Sequence, residues 1–482
     1  MAVDLDEYRR EADAFLGALS EEQYLHYSGQ KESLELEALF DRHADLTSLG
    51  TCLELREAGA PLLRRFACEG YLAGLVVSQD ERVAHLEATL EAEVGGEHVP
   101  YRMLRPLIAN EPDRVRREQL ERARASLAGE LNPVREEAQA LVTAAAAELG
   151  APTISALYAE LGLPLERLRD ECAQFLEQTA SLHAELFDAV LRARAGVTLA
   201  EARPWDVPRV LRSDRWDDGF PADRLLSALE ATLAELGIVL AAQHNVVFDI
   251  DARPTKDPRA FCAPIAVPGR IVLCVKPVGG ADDWRALFHE AGHTEHFAHT
   301  QAHLPLEARR LGDNAVTEGW AFLLEGLTTN ARWLSRRLDF GRAEQFAAES
   351  GGVQLYLMRR YCAKLLYELE LHGGASLEEM PARYAELLTE ATSIPVSPAY
   401  YLDDVDPGFY VTSYVRAWAF EALVRSALAE RFGSTWFTSR KAGSLLRELW
   451  SEGQGLDADT IVDELTGATL ELSAAVEGLA GR

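Results

Sequence analysis

The chain has 482 residues, of which 48 are Lys or Arg and 77 are Asp or Glu, giving a formal net charge of −29. This balance argues against nucleic acid as a partner, because that affinity comes from neutralising phosphates with basic side chains, and against anionic membrane surfaces. Hydrophobic residues make up 48% of the chain, enough for a globular core and too many for a disordered polymer.

The six cysteines, Cys52, Cys68, Cys172, Cys262, Cys274 and Cys362, form no CxxC pair, which fits free thiols in a reducing compartment. The first residues lack a basic stretch followed by an apolar one, and no window approaches about 18 uninterrupted apolar residues. The expectation is a cytoplasmic protein with no signal peptide and no membrane span.

In chain order, residues 1–200 read as helix after helix, an N-terminal helical lobe. Leu, Ala and Val recur at three- and four-residue spacing in Asp113–Glu130 and Pro133–Leu149. Asn132-Pro133 reads as a cap followed by the first residue of the second of these helices. Proline, tryptophan and glycine gather in Arg203–Ala222 and mark the passage to a second domain, residues 201–482. A helix is expected over Asp223–Leu236. Val246–Ile250 and Ile271–Val275 are short β-branched runs bounded by Gly and Pro, the only segments that read convincingly as strands. After Gly279-Gly280 the chain returns to helices.

Five of the twelve histidines, His289, His293, His296, His299 and His303, lie close together. The segment His289-Glu290-Ala291-Gly292-His293 is an HExxH. On a helix the two imidazoles differ by about 40° of rotation and can bind one metal ion. Glu290 lies about 100° from His289, beside the ion, where it can take a proton from a water. Imidazole nitrogens suit Zn²⁺, which needs a third protein ligand and an open position. Asp282 and Asp283 start this helix and Pro305 limits its far end.

Two residues compete for the third ligand. His299 would give HExxHxxxxxH, a spacing that needs a glycine turn at position 296. His296 stands there, so the helix should continue and carry His299 about 120° away from His293. Glu318, on a second helix capped by Asp313, would complete a His₂Glu set from an antiparallel partner. Glu325 shares its face and is placed to orient a ligand histidine. Trp320, Phe322, Leu323 and Leu324 are expected to pack that helix.

Three segments carry a resemblance. They are HExxHxxH with Glu318 and Glu325 downstream, Asp251-Ala-Arg253-Pro-Thr-Lys256 followed by Ala260-Phe261-Cys262, and Phe409-Tyr410-Val411-Thr412-Ser413-Tyr414. Together they resemble the thimet oligopeptidase and F-type oligoendopeptidase family of zinc metallopeptidases over about residues 246–440. The resemblance implies a mainly α, two-lobed helical metallopeptidase with a small β-sheet beside the active-site helix and a deep substrate cleft. It implies one Zn²⁺ per chain on His289, His293 and Glu318, with Glu290 as general base and short peptides as substrates. Tyr410 and Tyr414 would donate to the oxyanion, a role that a phenol protonated at neutral pH can fill. The Ile271–Val275 strand could offer its edge to an extended peptide.

Two positions depart from the family pattern. Asp404 stands where the oligoendopeptidases carry a histidine, and Thr412 replaces the middle tyrosine; Arg416 is a candidate substitute donor. Two rival readings follow. One is a carboxypeptidase that binds the terminal carboxylate through Arg253, Lys256, Lys276 or Arg416. The other is a zinc-containing protein that binds peptides without turnover.

Overall fold

Helical periodicity in the sequence becomes helix along most of the chain in a computed structural model, which describes residues 3–477. Two small sheets interrupt it. Strands β1 (Glu91–Val94) and β2 (Glu97–Pro100) form an antiparallel hairpin. Strands β3 (Val246–Asp249), β4 (Phe261–Ala266) and β5 (Arg270–Cys274) form a three-stranded sheet in the order β3-β5-β4. No helix among the described residues is long and apolar enough to cross a membrane.

Two compact units interleave in the sequence. The first comprises Met1–Leu63, Trp216–Ala348 and Ser413–Arg482; the second comprises Arg64–Arg215 and Glu349–Thr412. The sequence reading placed one boundary, after residue 200. The difference has a physical origin in the first helix, Leu5–Tyr27, which buries Tyr8, Ala12, Phe15 and Tyr24 and packs on β4. Arg9 pairs with Glu307 at 2.8 Å and Asp13 with Arg309 at 2.7 Å. Periodicity reveals that such a helix has an apolar face, but not which partner covers it.

The first unit is built on a tryptophan-rich core that includes Trp216, Trp284, Trp320, Trp333, Trp436 and Trp450. Its sheet corrects one expectation. β5 is the central strand, parallel to β3 and antiparallel to β4, so both of its edges are paired and it has none to offer a peptide.

In the second unit, Asp113–Glu130 and Pro133–Leu149 are one continuous helix, Arg114–Glu148, with Pro133 inside it. Asn132 does not cap; its side-chain amide donates to the Ala399 carbonyl at 3.0 Å. The β1–β2 hairpin leaves little trace in the sequence periodicity because its strands are four residues long in a helical context. Its turn is Gly95-Gly96, both at positive φ, as tight hairpin turns require. Arg359 is buried and donates to the carbonyls of Ala391 and Leu176, at the C-terminal ends of two helices whose dipoles favour a cation there.

Beside that arginine lies a pH-dependent element. His183 Nε2 donates to the Thr392 carbonyl at 2.9 Å, and burial pushes the imidazole down to about 4. The unfolded chain therefore takes up a proton near pH 6.5 that the folded chain refuses until about pH 4. This contribution is complete above pH 6.5 and is lost as pH falls toward 4. His183→Gln should be less stable than wild type at pH 7, with the gap narrowing by about 2 kcal/mol at pH 5. Denaturant unfolding of both proteins at the two pH values measures this; a constant gap would contradict it.

Candidate metal centre

The HExxH motif lies on the helix Ala281–His299. Asp283 accepts from the Val278 and Gly279 amides at 2.8 Å each, so the acidic start foreseen in the sequence tethers the preceding loop. Trp284, Leu287, Phe288 and Ala291 face the core and fix the rotation of the helix. The opposite face carries His289, Glu290 and His293. A second helix, Asn314–Glu325, is capped by Asp313 and buries Glu318. Gly292 lets the two helices meet: a Cβ there would lie 2.5 Å from both the Trp320 carbonyl oxygen and Ala321 Cα.

His289, His293 and Glu318 converge, with one ligand atom of each within 4.8 Å of the others. The two Nε2 atoms are 3.2 Å apart. Glu318 Oε2 lies 3.5 Å from His289 Nε2 and 3.8 Å from His293 Nε2. Donors held about 2.0–2.1 Å from a tetrahedral Zn²⁺ are separated by about 3.3 Å, so the donor set fits that ion.

Both imidazoles are held from behind. His289 Nδ1 donates to Glu325 Oε2 at 2.9 Å, and Glu325 Oε1 accepts from Arg285. His293 Nδ1 lies 2.9 Å from Thr317 Oγ1. With Nδ1 donating, each Nε2 can present a lone pair to an ion once it gives up any proton it holds. Burial disfavours charge on His289, but Glu318 and Glu325 outweigh it and raise its pKa to about 10, a mark of a site prepared for positive charge. For His293 burial prevails and the pKa falls. Glu325, despite its burial, is held at about 2 by Arg285 and His289. Glu290 is fixed differently: its Oε2 accepts the Cys262 amide of β4 at 2.9 Å.

His299 stands apart from this group. The helix continues through position 296, and His299 Nδ1 donates to the Glu295 carbonyl at 2.9 Å with its ring beside Trp450. Trp320 is buried in the core, but Phe322 is only partly buried, with its ring 5.4 Å from that of His289. The Tyr414 ring is 6.2 Å from that of Phe322, on the side chain that contacts His289. Tyr410 belongs to the second unit, in the turn before the helix Val411–Phe432.

Several basic and departing residues serve the fold. Arg416 pairs with Asp313 and Asp459, so it is no substitute oxyanion donor. Arg253 and Lys256 both pair with Asp249. Asp404 accepts from Tyr384 at 2.8 Å and pairs with Arg360 at 2.5 Å, and the Thr412 hydroxyl donates to the Phe409 carbonyl. Sequence reasoning passed over Thr317, Arg285 and the Cys262 amide. Helical spacing signalled the first two: Thr317 adjoins Glu318, and Arg285 precedes His289 by one turn.

No family model and no curated protein matches the sequence. Among solved structures, the chain is similar to the M32 carboxypeptidase from Deinococcus radiodurans R1, with a TM-score of 0.59 and 16% identity, over 98% of this chain and 97% of that one. The two share a mainly α-helical fold. At that identity the likeness speaks for the fold alone, and what the fold carries rests on the side chains described above.

Proposed function

We propose that the chain is a zinc-dependent peptidase of short peptides, with one Zn²⁺ held by His289, His293 and Glu318. The observation that carries this reading is the convergence of those three side chains beside a carboxylate, Glu290, that is not among the ligands. His289, His293 and Glu318 would hold the ion, and what it would supply is Lewis acidity toward the scissile carbonyl and a water. Glu290, oriented by the Cys262 amide, accepts a proton from that water as its oxygen bonds to the carbonyl carbon. It then returns the proton to the amine as the C–N bond breaks. Tyr414, in the same unit as the ligands, is the candidate donor to the oxyanion, and its aromatic contact with Phe322, which in turn contacts His289, supports it.

The first reading is hydrolysis within oligopeptides, as in the thimet oligopeptidase and oligoendopeptidase family. The likeness to an M32 carboxypeptidase favours a second, removal of residues from the C-terminus. Of the four basic residues considered for the terminal carboxylate, Lys276 is the one with no carboxylate partner among the described residues; its ammonium donates to the Lys256 carbonyl at 3.4 Å. Paired peptides with free and amidated C-termini separate the readings. Equal cleavage at internal bonds supports the first; stepwise C-terminal trimming lost on amidation supports the second and removes the first.

A further inference from the structure

We propose that Arg285 is a positioning residue for the metal centre, locking Glu325 in the orientation that fixes His289. This rests on the reading of His289 as a ligand but not on peptide hydrolysis. Arg285 lies one helical turn before His289, on the same face of the helix Ala281–His299. Its Nη2 and Nε donate to a single oxygen, Glu325 Oε1, at 2.7 and 3.1 Å. The other oxygen, Oε2, accepts from His289 Nδ1 at 2.9 Å. Each oxygen is thus committed, and turning the carboxylate breaks one contact or the other.

The two histidines are therefore held unequally. His293 rests on Thr317, a neutral hydroxyl. His289 rests on a full charge that also lies two turns from Glu318 on the same face of the helix Asn314–Glu325. Without Arg285, that charge would be an unbalanced acid beside the ion site, free to turn from the imidazole and compete as a ligand. The formal charges agree with this role: Glu290, Glu318 and Glu325, one guanidinium and a divalent cation sum to zero. The pair is half-buried, with Arg285 34% and Glu325 17% exposed, so removing the guanidinium also costs some stability by leaving the carboxylate uncompensated. What marks a positioning role is a loss of metal affinity that depends on the Glu325 carboxylate, beyond any loss of stability.

The test is zinc affinity, measured by titrating each metal-free protein with Zn²⁺ against a chromogenic chelator. Arg285→Met should weaken zinc by about 10–100-fold, with the far-UV circular dichroism of the metal-free form close to wild type and its thermal midpoint somewhat lowered. Arg285→Lys should recover part of the loss, because an ammonium restores charge without the fork. In a Glu325→Gln background, Arg285→Met should cost little more, since its action runs through the carboxylate. Wild-type zinc affinity in Arg285→Met would overturn the proposal, as would the same loss with and without the Glu325 carboxylate. If Arg285→Met does not fold, Arg285→Lys carries the same comparison with a smaller expected loss. A wild-type protein that binds zinc yet cleaves no peptide would sink the peptidase reading and leave this one standing.

Discussion

Glu290→Gln is expected to retain zinc and lose cleavage. The substitution keeps the side chain's size and an acceptor oxygen for the Cys262 amide, which now holds the carboxylate at 2.9 Å. It leaves His289, His293 and Glu318 untouched. What it removes is the ability to take a proton, because an amide oxygen is not basic near neutral pH. Loss of a positioned general base reduces turnover by about 10²–10⁴-fold. Zinc content per chain and cleavage of short quenched peptides, measured on the same preparation, decide the matter. Wild-type turnover in the variant would show that Glu290 moves no proton; loss of zinc would show that its role is structural.

The second large effect is expected from Gly292→Ala. Alanine is the better helix former by about 1 kcal/mol, so propensity alone predicts stabilisation. The new Cβ, however, would meet the backbone of the neighbouring helix, 2.5 Å from the Trp320 carbonyl oxygen and from Ala321 Cα. Backbone cannot step aside as a flexible side chain can. Overpacking of this kind costs about 1–3 kcal/mol, which outweighs the propensity gain. Relief requires the helices to part, and the partner helix carries Glu318 only two residues from the contact. A lower thermal midpoint should therefore accompany a smaller stabilisation by added zinc. A variant that melts with wild-type zinc stabilisation would show that the helices separate without moving Glu318.

The parts of this site that follow from helical geometry were legible in the sequence. The relation of His289 to His293, the placement of Glu318 and Glu325 on one face, and the exclusion of His299 all depend on rotation about a single helix axis. Partners chosen by tertiary packing were not legible. β4 contains Pro264 and little of the β-branched alternation that marks a strand, yet its Cys262 amide fixes Glu290. Arg416, Arg253 and Lys256 looked available for substrate because their acids, Asp313, Asp459 and Asp249, are identified only once the chain has folded. Asp404 and Thr412 looked like missing catalytic groups for the same reason. In the fold they anchor a turn, through Arg360 and Tyr384 in one case and the Phe409 carbonyl in the other. At the level of domains, composition located the proline-rich passage near residue 203 but could not show that the first helix returns to β4.

One zinc ion on His289, His293 and Glu318 is expected to enable peptide cleavage. The most direct test is a stoichiometric titration of the metal-free protein with Zn²⁺, with cleavage of a short peptide followed at each addition. Activity should be absent at the start, rise in proportion to zinc and break at one equivalent per chain. Cleavage independent of zinc, or zinc bound at one equivalent with no cleavage of any peptide in a mixed library, would contradict it.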